Sequence, residues 1–226
     1  MMELRIRGVL FDMDGVLMSS LGSVERSWRS YAKARNVNPE LAVKLAHGRR
    51  AIETVRALRP DLDANAELRV IEDLEIEDNE GLVVYPGVKT LLDSLPENSW
   101  AIVTSATERL ARSRLAVAGI PIPRHFVTAE TVSRGKPHPE PYQRGAALLG
   151  VPAGQCMAIE DAPAGVTAGK AAGCRTLAVL TTHAAETLMA ADWRVSNLEG
   201  VHANPGPSEY LTLRFEPWEP ASNHQE

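Results

Sequence analysis

Cysteine, aromatic residues, basic charge and long apolar runs are all scarce in this chain, and each scarcity removes a class of answer. Two cysteines in 226 residues, Cys156 and Cys174, cannot build a disulfide framework and have no metal-ligand spacing. Both sit in apolar or Ala/Gly-rich surroundings, so buried, inert thiols are expected. No apolar run approaches a membrane span, and the N-terminal Met-Met-Glu-Leu-Arg-Ile-Arg breaks its apolar positions with charges instead of forming a signal-peptide core. A cytoplasmic protein without a membrane partner is the expectation. The net charge of −5 and pI near 5.7 argue against a nucleic-acid partner, which would demand a basic face. There is no internal repeat and no low-complexity tract. What remains is ordinary for a soluble globular protein: 44% hydrophobic and 23% charged residues. The length suits one large domain, or a main domain with a smaller insertion.

The chain is organised around Val9-Leu10-Phe11-Asp12-Met13-Asp14-Gly15. An apolar run closed by turn residues reads as a strand buried on both faces, as in a parallel sheet. Side chains two apart on an extended segment point the same way, so Asp12 and Asp14 are expected to share one crevice. Gly15 can take φ > 0 and let the chain leave the sheet at once. Ligands of open α/β sheets bind beyond the carboxyl ends of strands, which is where this pair falls. Taken alone, the stretch is also consistent with a polar turn after a strand.

Residues 4–12 are predicted as strand one. From about Ser19 to Gly81 the pattern is helical, with Trp28, Tyr31 and Ala32 at helical spacing and Asn38-Pro39, Gly48, Arg59-Pro60 and Asn79 as punctuation. An all-helical block of four or so short helices after strand one reads as a cap or lid. Beyond Pro86 strands and helices alternate. Helices are predicted over Val88–Leu95, Thr107–Ala118, Pro139–Leu149 and Pro163–Ala172, the last three stopped by Gly119, Gly150 and Gly173. Strands are predicted over Trp100–Ser105, His125–Thr128, Cys156–Glu160 and Arg175–Leu180. This alternation implies an α/β fold: a Rossmann-like, doubly wound parallel sheet with helices on both faces. The expected organisation is an α/β core over 1–17 and 83–226 and a helical cap over 18–82. Within the core, 204–226 forms a C-terminal hairpin strand and a loose acidic tail. Tyr210–Phe215 alternates in period two after Asn204-Pro205-Gly206-Pro207, as one arm of a hairpin does.

Three further strand ends carry polar groups: Ser105, Lys136 and Glu160-Asp161. Each has a plain structural reading. Ser105 suits a helix cap, Lys136 an exposed loop, and Glu160-Asp161 the N-terminal end of a helix. Together with Asp12 and Asp14 they place four carboxylates, a hydroxyl and a lysine at one sheet edge. So many negative groups call for a cation, and an all-oxygen site suits Mg²⁺ better than Zn²⁺.

Phe-Asp-Met-Asp-Gly-Val, Val-Thr-Ser, Gly-Lys-Pro and Ile-Glu-Asp-Ala-Pro-Ala-Gly-Val, in this order and spacing, resemble the four motifs of the haloacid dehalogenase superfamily. The helical insertion resembles that superfamily's C1 cap. The chain looks most like the sugar-phosphate and glycerol-phosphate phosphatases, relatives of β-phosphoglucomutase. The likeness runs from Val9 to about Val179 and leaves the tail after Pro205 unexplained. It implies that Asp12 is a nucleophile, Asp14 a general acid and base, and Lys136 and Ser105 the holders of the transferring phosphoryl oxygens. It implies that Asp12, the Asp14 backbone carbonyl, Asp161 and Glu160 hold Mg²⁺. Ser105 is favoured over Thr104 because the register puts Ser105 at the strand's end; Thr104 and Ala106 flank it as substrate contacts. Many relatives carry an Asp where Ser19 stands here, close to the hinge.

In the cap, His47-Gly48-Arg49-Arg50 resembles the specificity loop of the same relatives. His47, Gly48, Arg49 and Arg50 are therefore candidate substrate contacts, against helix packing for His47 and a solvated basic turn for the arginines. Glu53 and Trp28 read as structural. In the phosphoglucomutases an arginine three residues after the glycine grips a second phosphate, and Ala51 stands there in this chain. The expectation is a Mg²⁺-dependent phosphatase acting on a small phosphorylated metabolite, a sugar or polyol. Three alternatives follow it: a phosphomutase, a phosphonate hydrolase using Lys44, and a non-catalytic binding module on the same fold. The oligomeric state is left open, with a monomer favoured. The cap is expected to flex near Met18–Leu21 and Glu80–Tyr85.

Overall fold

A computed structural model describes residues 1–46, 49–207 and 209–220. The stretch predicted as one strand over 4–12 is two: β1 (Met2–Ile6) and β2 (Gly8–Phe11). The two halves have different hydrophobic periods. Met-Glu-Leu-Arg-Ile alternates between exposed and covered positions, whereas Gly-Val-Leu-Phe is buried throughout. Arg7 stands between them and donates its backbone N–H to Gln155 O at 2.8 Å.

After β2 the chain makes a two-residue strand, β3 (Met18–Ser19), and enters the cap: α1 (Leu21–Ala34), α2 (Pro39–Ala46), α3 (Ala51–Leu58) and α4 (Ala64–Glu77). It leaves through β4 (Val83–Val84), which pairs antiparallel with β3 so that Met18 faces Val84 and Ser19 faces Val83. The two expected hinge segments therefore lie side by side. The cap has its own core, in which Trp28, Tyr31, Ala32, Ala42, Val43, Val55 and Ile71 pack together. Burying each large side chain contributes about 1.5–3 kcal/mol, which holds these short helices together.

The rest of the chain supplies α5 (Val88–Ser94), β5 (Trp100–Val103), α6 (Glu108–Ala118), β6 (Phe126–Val127), α7 (Glu140–Leu149) and β7 (Cys156–Glu160). It continues with α8 (Pro163–Ala171), β8 (Arg175–Val179) and β9 (Trp193–Val195). The main sheet is parallel with order β6-β5-β2-β7-β8-β9, so β2 lies between β5 and β7. Val9 and Phe11 enter one apolar cluster and Leu10 another, as a strand covered on both faces requires. The fold is thus the expected α/β architecture. The edge strand β9 was not expected; its Trp-Arg-Val is too short and too polar at Arg194 to stand out.

A second sheet closes the end of the chain. β10 (His202–Pro205) and β11 (Leu211–Phe215) form the expected hairpin, and β11 also pairs antiparallel with β1. Leu211, Leu213 and Phe215 are buried in the main core. The tail expected to be loose is held as far as Trp218, whose backbone N–H donates to Arg194 O at 2.6 Å. Cys156 and Cys174 are buried free thiols, as expected, and burial pushes both up to about 12. No helix among the described residues is long and apolar enough to cross a membrane.

Candidate active site

A cavity of about 320 Å³ lies between the cap and the carboxyl ends of β2, β5 and β7. Asp12, Asp14, Gly15, Thr104, Ser105, Ala106, Lys136, Glu160 and Asp161 all line it. Residues separated by more than a hundred positions meet there because a parallel sheet delivers the end of every strand to one edge.

One carboxylate oxygen each from Asp12, Glu160 and Asp161 lie within 4.8 Å of one another. Lys136 Nζ reaches Asp12 Oδ1 at 2.8 Å and Glu160 Oε1 at 2.6 Å, with its side chain only 4% exposed. Burial would lower the Lys136 pKa, but Asp12 and Glu160 outweigh it and hold the ammonium above its ordinary value. The carboxylates fare the other way. Burial, with repulsion from Glu160 and Asp161, drives Asp12 well above the usual range despite Lys136. Burial and Glu160 push Asp161 up to about 7. One lysine does not neutralise this cluster. A divalent cation among the three carboxylates would, and the donor set is oxygen throughout.

Gly15 and Asp161 fit against each other. Gly15 has φ +83°, and a Cβ there would stand 2.0 Å from Asp161 Oδ2. The Thr182 hydroxyl donates to the same Asp161 oxygen, and the Thr181 hydroxyl donates to Gly15 O. Glu160 accepts from the Tyr142 hydroxyl, while its other oxygen accepts the Asp161 N–H at 3.2 Å. Tyr142 is fully buried, and that burial and Glu160 together raise its pKa well above the ordinary value.

The hydroxyls after β5 differ in their commitments. Thr104 Oγ1 accepts the Ala106 N–H at 3.0 Å, so these two groups satisfy each other. Ser105 has no such bond among the described residues and lines the cavity. Asp14 shares the cavity with Asp12, but its carboxylate is not among the three that cluster. Its Oδ1 accepts from Arg114 Nη1 at 2.9 Å, and Arg114 Nη2 reaches Glu75 Oε2 of α4 at 2.8 Å.

The cap residues divide. Arg49 and Ala51 line the cavity. Arg50 is committed elsewhere: it bonds Glu53 and donates to the carbonyls of Val132 and Ser133 at 3.2 Å each, in the loop leading to Lys136. Glu53 is thus part of a cap-to-core contact. Trp28, read as structural, is 2% exposed and also lines the cavity. Lys44 is exposed and does not reach the cavity. His47 and Gly48 lie outside the described residues.

Arg114, Glu75, Tyr142 and Thr182 were not singled out from the sequence. Signals for some of them were there. Arg114 interrupts the stripe of Leu110, Ala111, Leu115 and Ala118 on α6, and Glu75 follows Glu67 and Ile71 at helical spacing on α4. Thr181-Thr182-His183 stands just past β8, at the same sheet edge as the other site residues.

Residues 6–173 match the sequence profile of the haloacid dehalogenase-like hydrolases. The chain belongs to that family. The hydrolase is 40% identical over 210 residues to hexitol phosphatase A of Escherichia coli (strain K12), covering 91% of this chain and 97% of that protein. It is 33% identical over 193 residues to glycerol-1-phosphate phosphohydrolase 2 of Saccharomyces cerevisiae, covering 80% and 77%. Its fold is similar to that of crystalline CbbY from Rhodobacter sphaeroides in complex with phosphate, with TM-score 0.74 at 21% identity, over 86% of this chain and 95% of that one. The hydrolase is thus a phosphoric monoester hydrolase with a helical cap and a catalytic aspartate cluster able to hold a divalent metal.

Proposed function

We propose that this hydrolase uses Mg²⁺ to release phosphate from a small phosphorylated sugar or polyol, through an aspartyl-phosphate on Asp12. The observation that carries the reading is the floor of the cavity. There Lys136 lies 2.8 Å from Asp12 in a three-carboxylate cluster, in a cavity that Ser105 also lines.

Asp12 attacks phosphorus with one carboxylate oxygen, and the P–O bond to the leaving group breaks as the new one forms. Asp14 gives its proton to the departing alkoxide. In the second half it takes a proton from the attacking water, and the acyl phosphate opens to inorganic phosphate and free Asp12. Lys136 and Ser105 hold the phosphoryl oxygens as charge spreads over them. Asp12, the Asp14 backbone carbonyl and Asp161 would hold Mg²⁺, with Glu160 reaching it directly or through water. When bound, the ion offsets the mutual repulsion of the carboxylates and draws charge from the phosphoryl group.

The helical segment 18–82 serves as a lid over the core of 1–17 and 83–226, hinged at β3 and β4, and its inner wall sets the substrate class. Leu21, Val24 and Trp28 of α1 and Ile71 of α4 give the cavity an apolar surface. Beside them Glu25 lines the cavity with no ion-pair partner among the described residues. Apolar faces with a free carboxylate suit the C–H and O–H groups of a polyol. Arg49 is the one cationic cap side chain on the cavity among the described residues, with Ala51 where a second-phosphate arginine would stand. That composition favours a monophosphate over a bisphosphate, and so a phosphatase over a mutase. The exposed Lys44 leaves a Schiff-base hydrolase without its amine at the cavity.

The test is phosphate release from hexitol, hexose, pentose and glycerol phosphates, β-glucose 1-phosphate and phosphonoacetaldehyde, with Mg²⁺ and with chelator. Metal-dependent turnover of a few monophosphates, abolished in folded Asp12→Asn, is expected. Silence across the panel would overturn the reading.

A further inference from the structure

Arg114 is a buried arginine on an otherwise apolar helix face, and it serves two acids from different parts of the molecule. Its side chain is 4% exposed, and the two guanidinium Nη atoms reach Asp14 Oδ1 at 2.9 Å and Glu75 Oε2 at 2.8 Å. Asp14 belongs to the core loop after β2, and Glu75 to the last cap helix, α4, where its side chain is 6% exposed. Burying a guanidinium and a carboxylate together is unfavourable unless their geometry satisfies both. Docking α4 on α6 does not demand it. The Thr107 hydroxyl already donates to Glu72, and Arg109 pairs with Asp73 at 2.6 Å across the same helix pair. Neither of those contacts touches Asp12, Asp14, Glu160 or Asp161. The Arg114 link does, and it occupies only one Asp14 oxygen. Asp14 Oδ2 has no hydrogen bond among the described residues, and the side chain is 28% exposed on the cavity.

We propose that Glu75, acting through Arg114, is a positioning residue for Asp14: with α4 docked, the guanidinium anchors Oδ1 and leaves Oδ2 to serve the leaving group. Proton delivery is thereby tied to a closed cap. When the cap lifts, Glu75 leaves with α4 and Arg114 loses half of its fork, so Asp14 is no longer held in one pose. A guanidinium suits this role because its donors are fixed in one plane, so a shift of one acid is passed on to the other. The inference rests on Asp14 being the general acid and base.

The test compares kcat/KM for p-nitrophenyl phosphate, whose leaving group departs without a proton, with kcat/KM for an alkyl phosphate such as glycerol phosphate. Because kcat/KM reports steps up to leaving-group departure, hydrolysis of the aspartyl-phosphate does not blur the comparison. Wild type, Glu75→Gln, Arg114→Lys, Asp14→Asn and the control Asp73→Asn are measured at saturating Mg²⁺. General acid catalysis is worth roughly 10²–10⁴-fold, so misplacing the acid should cost the alkyl ester at least about 10-fold. Glu75→Gln and Arg114→Lys are expected to show that loss while p-nitrophenyl phosphate changes less than about 3-fold. Asp14→Asn should show the same selectivity more strongly, and Asp73→Asn should show none. A helix contact that matters only for folding would lower both esters together. Equal losses on both esters, or no loss on either, in Glu75→Gln and Arg114→Lys beside a selective Asp14→Asn would overturn the inference alone. A non-selective Asp14→Asn would remove the acid/base reading and the inference with it.

Discussion

Gly15 and Asp161 occupy one another's space: a Cβ on Gly15 would stand 2.0 Å from Asp161 Oδ2 and 2.4 Å from its Cγ. Gly15 also has φ +83°, which disfavours a side chain on backbone grounds alone. Gly15→Ala is therefore expected to lose at least about 1 kcal/mol of stability from the left-handed conformation. It should also push Asp161 out of the acidic cluster, so that Mg²⁺ titrated calorimetrically binds far more weakly. A variant that melts earlier but binds the ion normally would show that the contact is structural only.

Tyr142 lies one layer beneath the site. Its hydroxyl donates to Glu160, which in turn holds Lys136 at 2.6 Å. Both partners are fully buried, so Tyr142→Phe removes one of the two groups that hold Glu160 Oε1 and leaves it to Lys136 alone. The expected cost is about 1–3 kcal/mol in urea unfolding. Turnover should fall as well, because Lys136 and Glu160 lose their shared anchor. Unchanged stability would mean that Lys136 alone satisfies Glu160.

Local signals were legible where one residue type decides the backbone. The unbroken apolar run Val9–Phe11 announced a central strand, and Gly15 announced the turn that carries Asp12 and Asp14 into a common cavity. The alternation of Leu211, Leu213 and Phe215 announced a strand with one buried face. What escaped were relations between distant segments. The break at Arg7 is one residue wide, and only the pairing of β1 with β11 shows that the chain changes sheets there. Arg50 read as a candidate substrate contact because His47-Gly48-Arg49-Arg50 resembles a specificity loop, yet its guanidinium meets carbonyls more than eighty positions away. The Arg114–Glu75 pair joins two helices whose own patterns contain no record of each other. Periodicity encodes which face is buried and says nothing of what that face meets.

Arg50 clamps the cap to the loop that carries Lys136. It donates to the carbonyls of Val132 and Ser133, and its stem passes within 3.1 Å of where a Gly135 Cβ would sit. Charged hydrogen bonds of this kind contribute about 1.5–3 kcal/mol each when well shielded, and Arg50 is 14% exposed. Arg50→Ala is expected to shift the cap towards an open position. KM should rise several-fold while the melting temperature of the core hardly moves. Small-angle scattering should show a larger radius of gyration for the variant than for wild type. Identical curves, with KM unchanged, would sink the clamp.

Glu67 makes the stability of the cap depend on acid pH. Arg35 holds it with Nε at 2.7 Å and Nη2 at 3.0 Å, and these hydrogen bonds keep the Glu67 carboxyl below its ordinary value against the opposing effect of burial. A carboxyl whose folded pKa is depressed stabilises the fold fully above the unfolded value, about 4.3 for glutamate. The contribution is lost as pH falls through the lower, folded value, where both states carry the proton. Glu67→Gln should thus be less stable than wild type at pH 7, by about 1 kcal/mol for one partly exposed pair. As pH falls below the depressed folded value the two proteins should converge. Thermal melts of both across this range provide the measurement, and a gap that stayed constant from pH 7 to pH 3 would show that Glu67 stabilises the cap by packing and not by charge.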